Sequence, residues 1–503
     1  MGAKPMSSAI SGETRPQPTE HVDVLVAGAG ISGVGAAWHL RHRCPGKRFV
    51  VLESQDGFGG TWRTHRYPGI RSDSDLFTFG YGFKPWMGKP IATAEEILAY
   101  MGEVIDENDL ARHIRYRHRI ERASWSGEEA RWTIEGRRVD TDEPFRITAG
   151  FLWMCQGYYR HAGGYTPDWP GMDKFGGRIV HPQEWPDDLE LEGKRVVVIG
   201  SGATAATLVP AIAGRCAEVT MLQRSPTFYI TGRNSNELAQ TLRELEIPDE
   251  WTHEIVRRKI LFDQQRFTRR AFTEPEAVKA ELLAGVRAYL GEDFDIDRHF
   301  TPSYRPWRQR IAFIPDGDLF RAIAAGTASV VTDHIEAFDA TGIRLASGEH
   351  LDADVVVTAT GFDLSVLGGI EFTVDGRPLA FDETTTWRGT MFTGVPNMAW
   401  VFGYFRASWT LRSDLVADFV CRLLAHMEAH GAKRVVPQLR PEDAGMPVLP
   451  WVDEQDFNPG YVNRGVHLLP KQGDRQPWRH TQDYWADCIE LPDADLDEGL
   501  RYS

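Results

Sequence analysis

No two of the five cysteines stand as a CxxC pair. Cys44, Cys155, Cys216, Cys421 and Cys488 are scattered and odd in number. That pattern argues against a disulfide framework, a zinc site and a dithiol redox centre, and no metal ligand set is expected. A reducing, cytoplasmic setting fits such thiols best. Positive charge is also short: 56 Lys and Arg stand against 71 Asp and Glu, a net charge of −15. An acidic surface repels phosphate backbones, which excludes a nucleic-acid partner and disfavours anionic lipid. Residues 1–20 are rich in Ser, Pro, Thr and Gly and have no apolar run of a secretory signal, so a disordered leader is expected there. The stretch from Val196 to Gly214 is apolar, but Gly200, Ser201, Gly202, Thr204, Thr207 and Pro210 interrupt it, and no membrane anchor is expected.

What is present is a nucleotide-binding pattern, twice. Val22–Ala27 reads as a buried strand, Gly28-Ala-Gly30-Ile-Ser-Gly33 follows, then a helix pattern, then the strand Phe49–Leu52 ending at Glu53. In this context Gly28 makes the tight turn, Gly30 admits a pyrophosphate and Gly33 lets helix and strand approach. The helix N-terminus offers free N–H groups to phosphate, and Glu53 stands where a carboxylate binds ribose hydroxyls. The second unit runs Arg195–Ile199, then Gly200-Ser-Gly202-Ala-Thr204-Ala205, a helix, and the strand Glu218–Leu222. Its second strand ends in Gln223-Arg224-Ser225-Pro226, with arginine instead of acid, which suits a 2′-phosphate and so NADPH. One unit for a resident flavin and one for a hydride-donating nicotinamide is the expected division.

The remaining elements give an order. Phe151–Gly157 and Asp354–Gly361 read as buried strands that carry the chain between domains. The expected architecture is α/β, with two Rossmann-like domains, the NADPH domain inserted in the FAD domain, and a helical insertion. In numbers, a FAD part spans 21–160, an NADPH part with a linker 161–235, helices 236–300, a second NADPH part 301–353, and a second FAD part with the C-terminal tail 354–503. The helical stretch is expected to supply one wall of the active site. Two further segments are open to ordinary structural readings on their residues alone: Gly60-Thr61-Trp62 with Asp73, and Phe175, Gly177, His181, Trp185, Pro186. Trp62 and Trp185 fit a core, Asp73 a helix cap and His181 a satisfied hydrogen-bonded ring.

Those two segments carry a resemblance. Phe175, Gly177, His181, Trp185 and Pro186 match the fingerprint FxGxxxHxxxW(P/D), and Gly60, Trp62, Tyr67, Pro68, Gly69 and Asp73 match (A/G)GxWxxxx(F/Y)P(G/M)xxxD. Both are patterns of Baeyer–Villiger monooxygenases and their flavin-containing relatives, the class B flavoprotein monooxygenases. The chain resembles this family from about His21 to its end. Within it the segments 67–75, 407–411 and 469–473 are most similar to the branch with the mycobacterial ethionamide-activating monooxygenase.

The resemblance implies that NADPH reduces FAD and that O2 then gives a C4a-peroxyflavin as oxygen donor. A ketone would become an ester or lactone, and a sulfide or thioamide would be oxygenated at sulfur. It also implies that Arg310 is the catalytic arginine, oriented by Asp73, that His181 couples domain movement to NADPH and that Trp185 anchors packing. Arg305 and Arg308 are expected at the surface or on NADPH. Two positions depart from the family: Gln309 replaces a lysine that in some members helps hold the 2′-phosphate, and Arg406 replaces an asparagine, which would turn the substrate scope toward polar or anionic compounds if its loop lines the pocket. A heteroatom oxygenase without ketone activity and a non-catalytic FAD/NADPH redox sensor are the alternatives. Natural substrate and oligomeric state are not legible.

Overall fold

The computed structural model describes residues 20–503; the expected leader lies outside the described residues, apart from Glu20, which already opens the first strand. Two parallel sheets organise the chain. In the first, Glu20–Ala27 lies between Phe49–Leu52 and Pro144–Met154, parallel to both. An antiparallel run, His118–Ser126 and Arg131–Arg138, extends this sheet on one side. Strand residues alternate between two cores. Val24 and Val26 pack with the helices Ile31–Arg43 and Trp409–Ala429, while Leu25 and Ala27 face Trp132, Trp400 and Trp451. Apolar side chains on both faces are what a covered parallel sheet requires.

The second sheet runs Ser329–Thr332, Glu218–Gln223, Arg195–Ile199, Val355–Thr358, Arg178–Val180, all parallel. The apolar stretch 196–214 is accounted for as its central strand plus the helix Ala203–Ile212. Among the described residues no helix is long and apolar enough to cross a membrane.

One expected boundary needs correction. Val355–Thr358 does not begin the return to the first sheet, as placed at residue 354; it pairs with Val196–Ile199 on one side and Arg178–Val180 on the other. Four buried residues fit the middle of any covered parallel sheet, and periodicity carries no information on which one. The return follows Gly361. There the two crossings of the chain lie side by side and antiparallel: Ser365 N–H donates to Tyr158 O at 2.9 Å, Arg160 N–H to Asp363 O at 2.9 Å and Tyr165 N–H to Gly361 O at 3.0 Å.

The stretch 236–300 is helical, with Glu237–Glu244, Asp249–Thr273, Pro275–Leu290 and Ile296–Phe300. It does not form a wall of the large cleft described below, contrary to expectation, because no residue of it lines that cleft. Its long helix instead grips the first domain. Buried Arg257 donates to the carbonyls of Phe77 (2.9 Å) and Gly80 (3.1 Å), and His253 Nδ1 accepts from Trp86 N–H. Removing the guanidinium strands buried carbonyls. Arg257→Ala is expected to lower unfolding free energy by about 3 kcal/mol, read by denaturant titration of the FAD-loaded protein; a change near zero would mean that these bonds are replaced by water.

Candidate active site

The C-terminal ends of both central strands open into one cleft of about 1510 Å³. That exceeds the roughly 300–1,000 Å³ of an ordinary small-molecule pocket, as two dinucleotides and a substrate require. Of the residues singled out from sequence, Gly28, Gly30, Glu53, Gly60, Thr61, Trp62, Asp73, Gly200, Gly202, Thr204, Arg224, Ser225 and Arg310 line it. Gly33 and Ala205 stand behind it. Phe175, Gly177, His181, Trp185 and Pro186 do not reach it.

The two glycine turns share one geometry. Gly28 has φ +99°, and a Cβ there would lie 2.8 Å from Cys155 O; Gly200 has φ +136°, and its Cβ would lie 2.3 Å from Ala359 O. Each turn thus presses on the residue that ends the neighbouring strand. Only the first unit needs its third glycine: a Cβ on Gly33 would sit 1.8 Å from Gly28 O, whereas Ala205 is accommodated with no exposure. At Gly202 a Cβ would meet nothing within 4 Å, so this N-terminal cap of Ala203–Ile212 faces open space, as a phosphate cradle must. Glu53 has a second duty besides the expected ribose contact. Its carboxylate accepts N–H bonds from Ala29 (2.7 Å) and Gln55 (2.8 Å), bracing the first turn.

The loop with Trp62 and Asp73 joins the two units. Trp62 is half-buried, edge-on to Phe79, and also lines the cleft. Tyr67 is buried in the apolar core of the second sheet, with Leu208 and Val209 of the helix Ala203–Ile212. Gly69 (φ +75°) approaches the helix Ala203–Ile212 so closely that a Cβ would lie 2.6 Å from Ala211 Cβ. This places the Asp73 carboxylate 3.2 Å from the Arg310 guanidinium. Asp73 caps no helix; Asp75 does that, accepting from Phe77 N–H. The Asp73 carboxylate holds the arginine well above its ordinary pKa, so Arg310 is a fixed cation. About a third of its side chain (35 %) faces the cleft.

Sequence reading missed the aromatic groups beside this pair. Tyr158 and Tyr159 share a hydroxyl contact of 2.5 Å, and burial pushes both phenols far up. Trp409 stacks on Tyr158 at 5.0 Å and donates to Ser32 Oγ. The Tyr461 hydroxyl is buried with no hydrogen-bond partner among the described residues. The signal for Tyr158 and Tyr159 was their position directly after the strand that ends at Gly157; Tyr461 had none.

The fingerprint serves the crossings. His181 Nε2 donates to Gly361 O at 3.1 Å while Nδ1 accepts from Gln183 N–H, so the ring is neutral, and burial lowers its pKa. Gln183 in turn donates to Arg160 O. Trp185 packs on the second sheet's core, with Pro186 next to it in the turn that accepts from Leu189 N–H, and Phe175 packs edge-on to Phe338. A Cβ on Gly177 would lie 2.3 Å from Asp354 O. Arg406 does not line the cleft, so the condition for its effect on the substrate pocket is not met: it is bound to Asp456 at 2.8 Å and to Trp307 O, between the rings of Phe272 and Phe457. Arg305 binds the same Asp456 at 2.7 Å, and neither it nor Arg308 lines the cleft. Among the described residues there is no group of three or more His, Cys, Asp or Glu arranged to hold a metal.

Residues 26–94 match the NAD(P)-binding Rossmann-like domain, and 89–239 match the flavin-binding monooxygenase-like family. The FAD-containing monooxygenase EthA of Mycolicibacterium smegmatis is 47% identical over 95% of this chain and 96% of its own length. The chain belongs to the class B flavoprotein monooxygenases. EthA of Mycobacterium tuberculosis is 45% identical over 96% of this chain and 98% of its own. Among solved structures, an oxidized steroid monooxygenase bound to NADP superposes with a TM-score of 0.70 at 27% identity, covering 84% of this chain and 88% of that one. OTEMO in complex with FAD and NADP reaches 0.73 over 97% and 100%, at 20% identity, a likeness of fold. The protein is a FAD-dependent, NADPH-using monooxygenase acting on a small molecule with O2.

Gly33→Ala forces Gly28 away from its strand. The variant is expected to purify with less than a tenth of the wild-type flavin per chain, read from absorbance at matched protein concentration; full retention would show that the first turn tolerates displacement.

Proposed function

We propose that this enzyme inserts one oxygen atom into ketones, giving esters or lactones, and also oxygenates sulfides or thioamides. The observation that carries this reading is the Asp73–Arg310 pair, a fixed cation facing a cleft floored by buried aromatic rings. FAD reduced by NADPH supplies the O2 activation. The residues of the chain supply the rest. Gly28, Gly30, Glu53, Gly60, Thr61 and Trp62 border the flavin side, and Gly200, Gly202, Thr204, Arg224 and Ser225 the NADPH side. Arg310 places a permanent positive charge where negative charge develops on oxygen during transfer, which is worth most in a site that excludes water. Asp73 fixes the guanidinium plane and keeps it protonated. Tyr158, Tyr159 and Trp409 exclude water from the same floor. His181 ties the two crossings, so motion of one domain against the other acts on its bond to Gly361. A cytoplasmic location accords with five unpaired thiols.

Arg310→Ala is expected to cut oxygenated product per second by about 10²–10³ while flavin reduction by NADPH persists. A panel of ketones and sulfides under labelled O2, analysed by mass spectrometry, checks both claims. Labelled sulfoxide without any ester would leave the heteroatom oxygenase reading in place of ketone insertion. NADPH oxidation yielding only hydrogen peroxide across the panel would remove both.

A further inference from the structure

The helix Asp249–Thr273 has an inner face with a task and an outer face without one. Thr252, His253, Val256, Arg257 and Ala271 form its buried side. Trp251 (64 % exposed), Ile255 and Phe262 (54 % exposed) stand in water. With the exposed Arg258, Arg266 and Arg269 they share an arc of about 80° at 3.6 residues per turn. Among the described residues no other helix or strand carries more than one exposed large apolar side chain. The fourth on this helix, Phe272, is already covered, with the Arg305 guanidinium 4.2 Å from its ring centre. The stripe from Trp251 to Phe262 runs along roughly 16 Å of helix, and none of it lines the cleft. Aromatic and aliphatic groups aligned this way mark a docking face.

Charge selects the occupant. At the start of the helix Asp249 and Glu250 are exposed and make no salt bridge among the described residues. Towards its end Arg266 and Arg269 are likewise exposed and unpaired, with Arg266 lying over the Phe262 ring at 5.5 Å. The middle is internally neutral: Arg258 binds Glu254 at 2.5 Å, and Lys259 binds Asp263. A stripe that is acidic at one end, neutral at the centre and basic at the other complements a copy of itself turned end for end. In an antiparallel pair centred between Arg258 and Lys259, Ile255 meets the other copy's Phe262, and Trp251 meets its Arg266, a cation over an indole. Both contacts occur twice, as a two-fold axis requires. An anionic lipid surface suits this face less, because the chain as a whole carries a net charge of −15.

We propose that the outer face of Asp249–Thr273 is a self-association surface, on which a second copy of this chain docks with its own helix antiparallel. The pairing gives the helical insertion, which takes no part in the cleft, a function of its own: one face holds the first domain and the other holds a second molecule. One helix pair is small beside a standard interface, so the dimer is expected to be weak, with Kd of roughly micromolar order. The proposal is independent of which substrate is oxygenated.

The test is sedimentation velocity of the FAD-loaded full chain over a concentration series, with wild type expected to move from monomer to dimer. Phe262→Glu, a change at an exposed position, is expected to raise the dimer Kd ~100-fold, since each dimer loses two apolar contacts. Arg269→Glu is expected to raise it about 5-fold, and Glu250→Arg added to it should recover the loss, because the reversed stripe again complements itself. Arg258→Cys, next to the two-fold axis, should join two chains through a short bis-maleimide. Thr273→Cys, about 40 Å from its mate in an antiparallel pair, should not, and wild type sets the background from the native cysteines. A wild-type chain that stays monomeric throughout would overturn the proposal. So would a dimer that Phe262→Glu and Ile255→Glu leave unchanged, which would place the contact elsewhere. Monomers that co-sediment with phosphatidylglycerol vesicles through Phe262 would assign the face to a membrane instead. Dimers joined through Thr273→Cys but not Arg258→Cys would refute the antiparallel arrangement.

Discussion

A carboxylate and a guanidinium 3.2 Å apart set the geometry on which the site depends. Asp73 follows the first nucleotide unit and Arg310 precedes a strand of the second region, Ala312–Pro315. The contact therefore spans the cleft. It is not alone: Arg71 and Asp318 meet two residues away, Tyr67 is buried in the second sheet's core, and Gly69 lies against the helix Ala203–Ile212. A pair with both partners about a third exposed gives little stability by itself. Its value is positional. The loop 67–73 is already docked on the second unit by apolar and backbone contacts, so the carboxylate meets the arginine with little left to order.

The same loop explains what was legible in the sequence. Glycine turns are local: Gly28, Gly30, Gly33, Gly200 and Gly202 announce themselves because strand, turn and helix are contiguous in the chain, and the structure puts them where the pattern says. The Asp73 and Arg310 juxtaposition is not local. It came only through family resemblance, since 237 residues separate the two and either had a bland reading. Tyr461 and Arg464 were invisible for the same reason, being delivered to the cleft by a short helix with no motif. The misplaced boundary at 354 has a different cause: Val-Val-Val-Thr fits the middle of either sheet, and pairing partners are not written in periodicity. Net charge explained little, because the charges that matter are a few arginines whose partners had to be seen.

The fingerprint residues teach a related point. They are the most specific motif in the chain, yet none lines the cleft. Phe175, Gly177 and Trp185 complete the packing of the second sheet, and His181 holds the place where the chain crosses twice. A neutral imidazole suits this post. It donates through one nitrogen and accepts through the other, and burial removes the charged form that would turn Nδ1 into a donor facing the Gln183 N–H. The motif thus marks the second sheet's packing and the place where the chain crosses, rather than the lining of the cleft.

Arginine is used in this chain in two electrostatic modes, and the distinction decides what each can bind. Arg406 and Arg305 share Asp456, and Arg412 is buried against Asp487 at 2.7 Å; these are internal ties, and no ligand can claim them without leaving a carboxylate unpaired. Arg310 has a carboxylate but keeps a face to the cleft, so its charge is oriented and only partly cancelled. Arg224 forms no salt bridge among the described residues, so its whole charge is open to the cleft, while Arg464 meets Asp363 only at 4.0 Å.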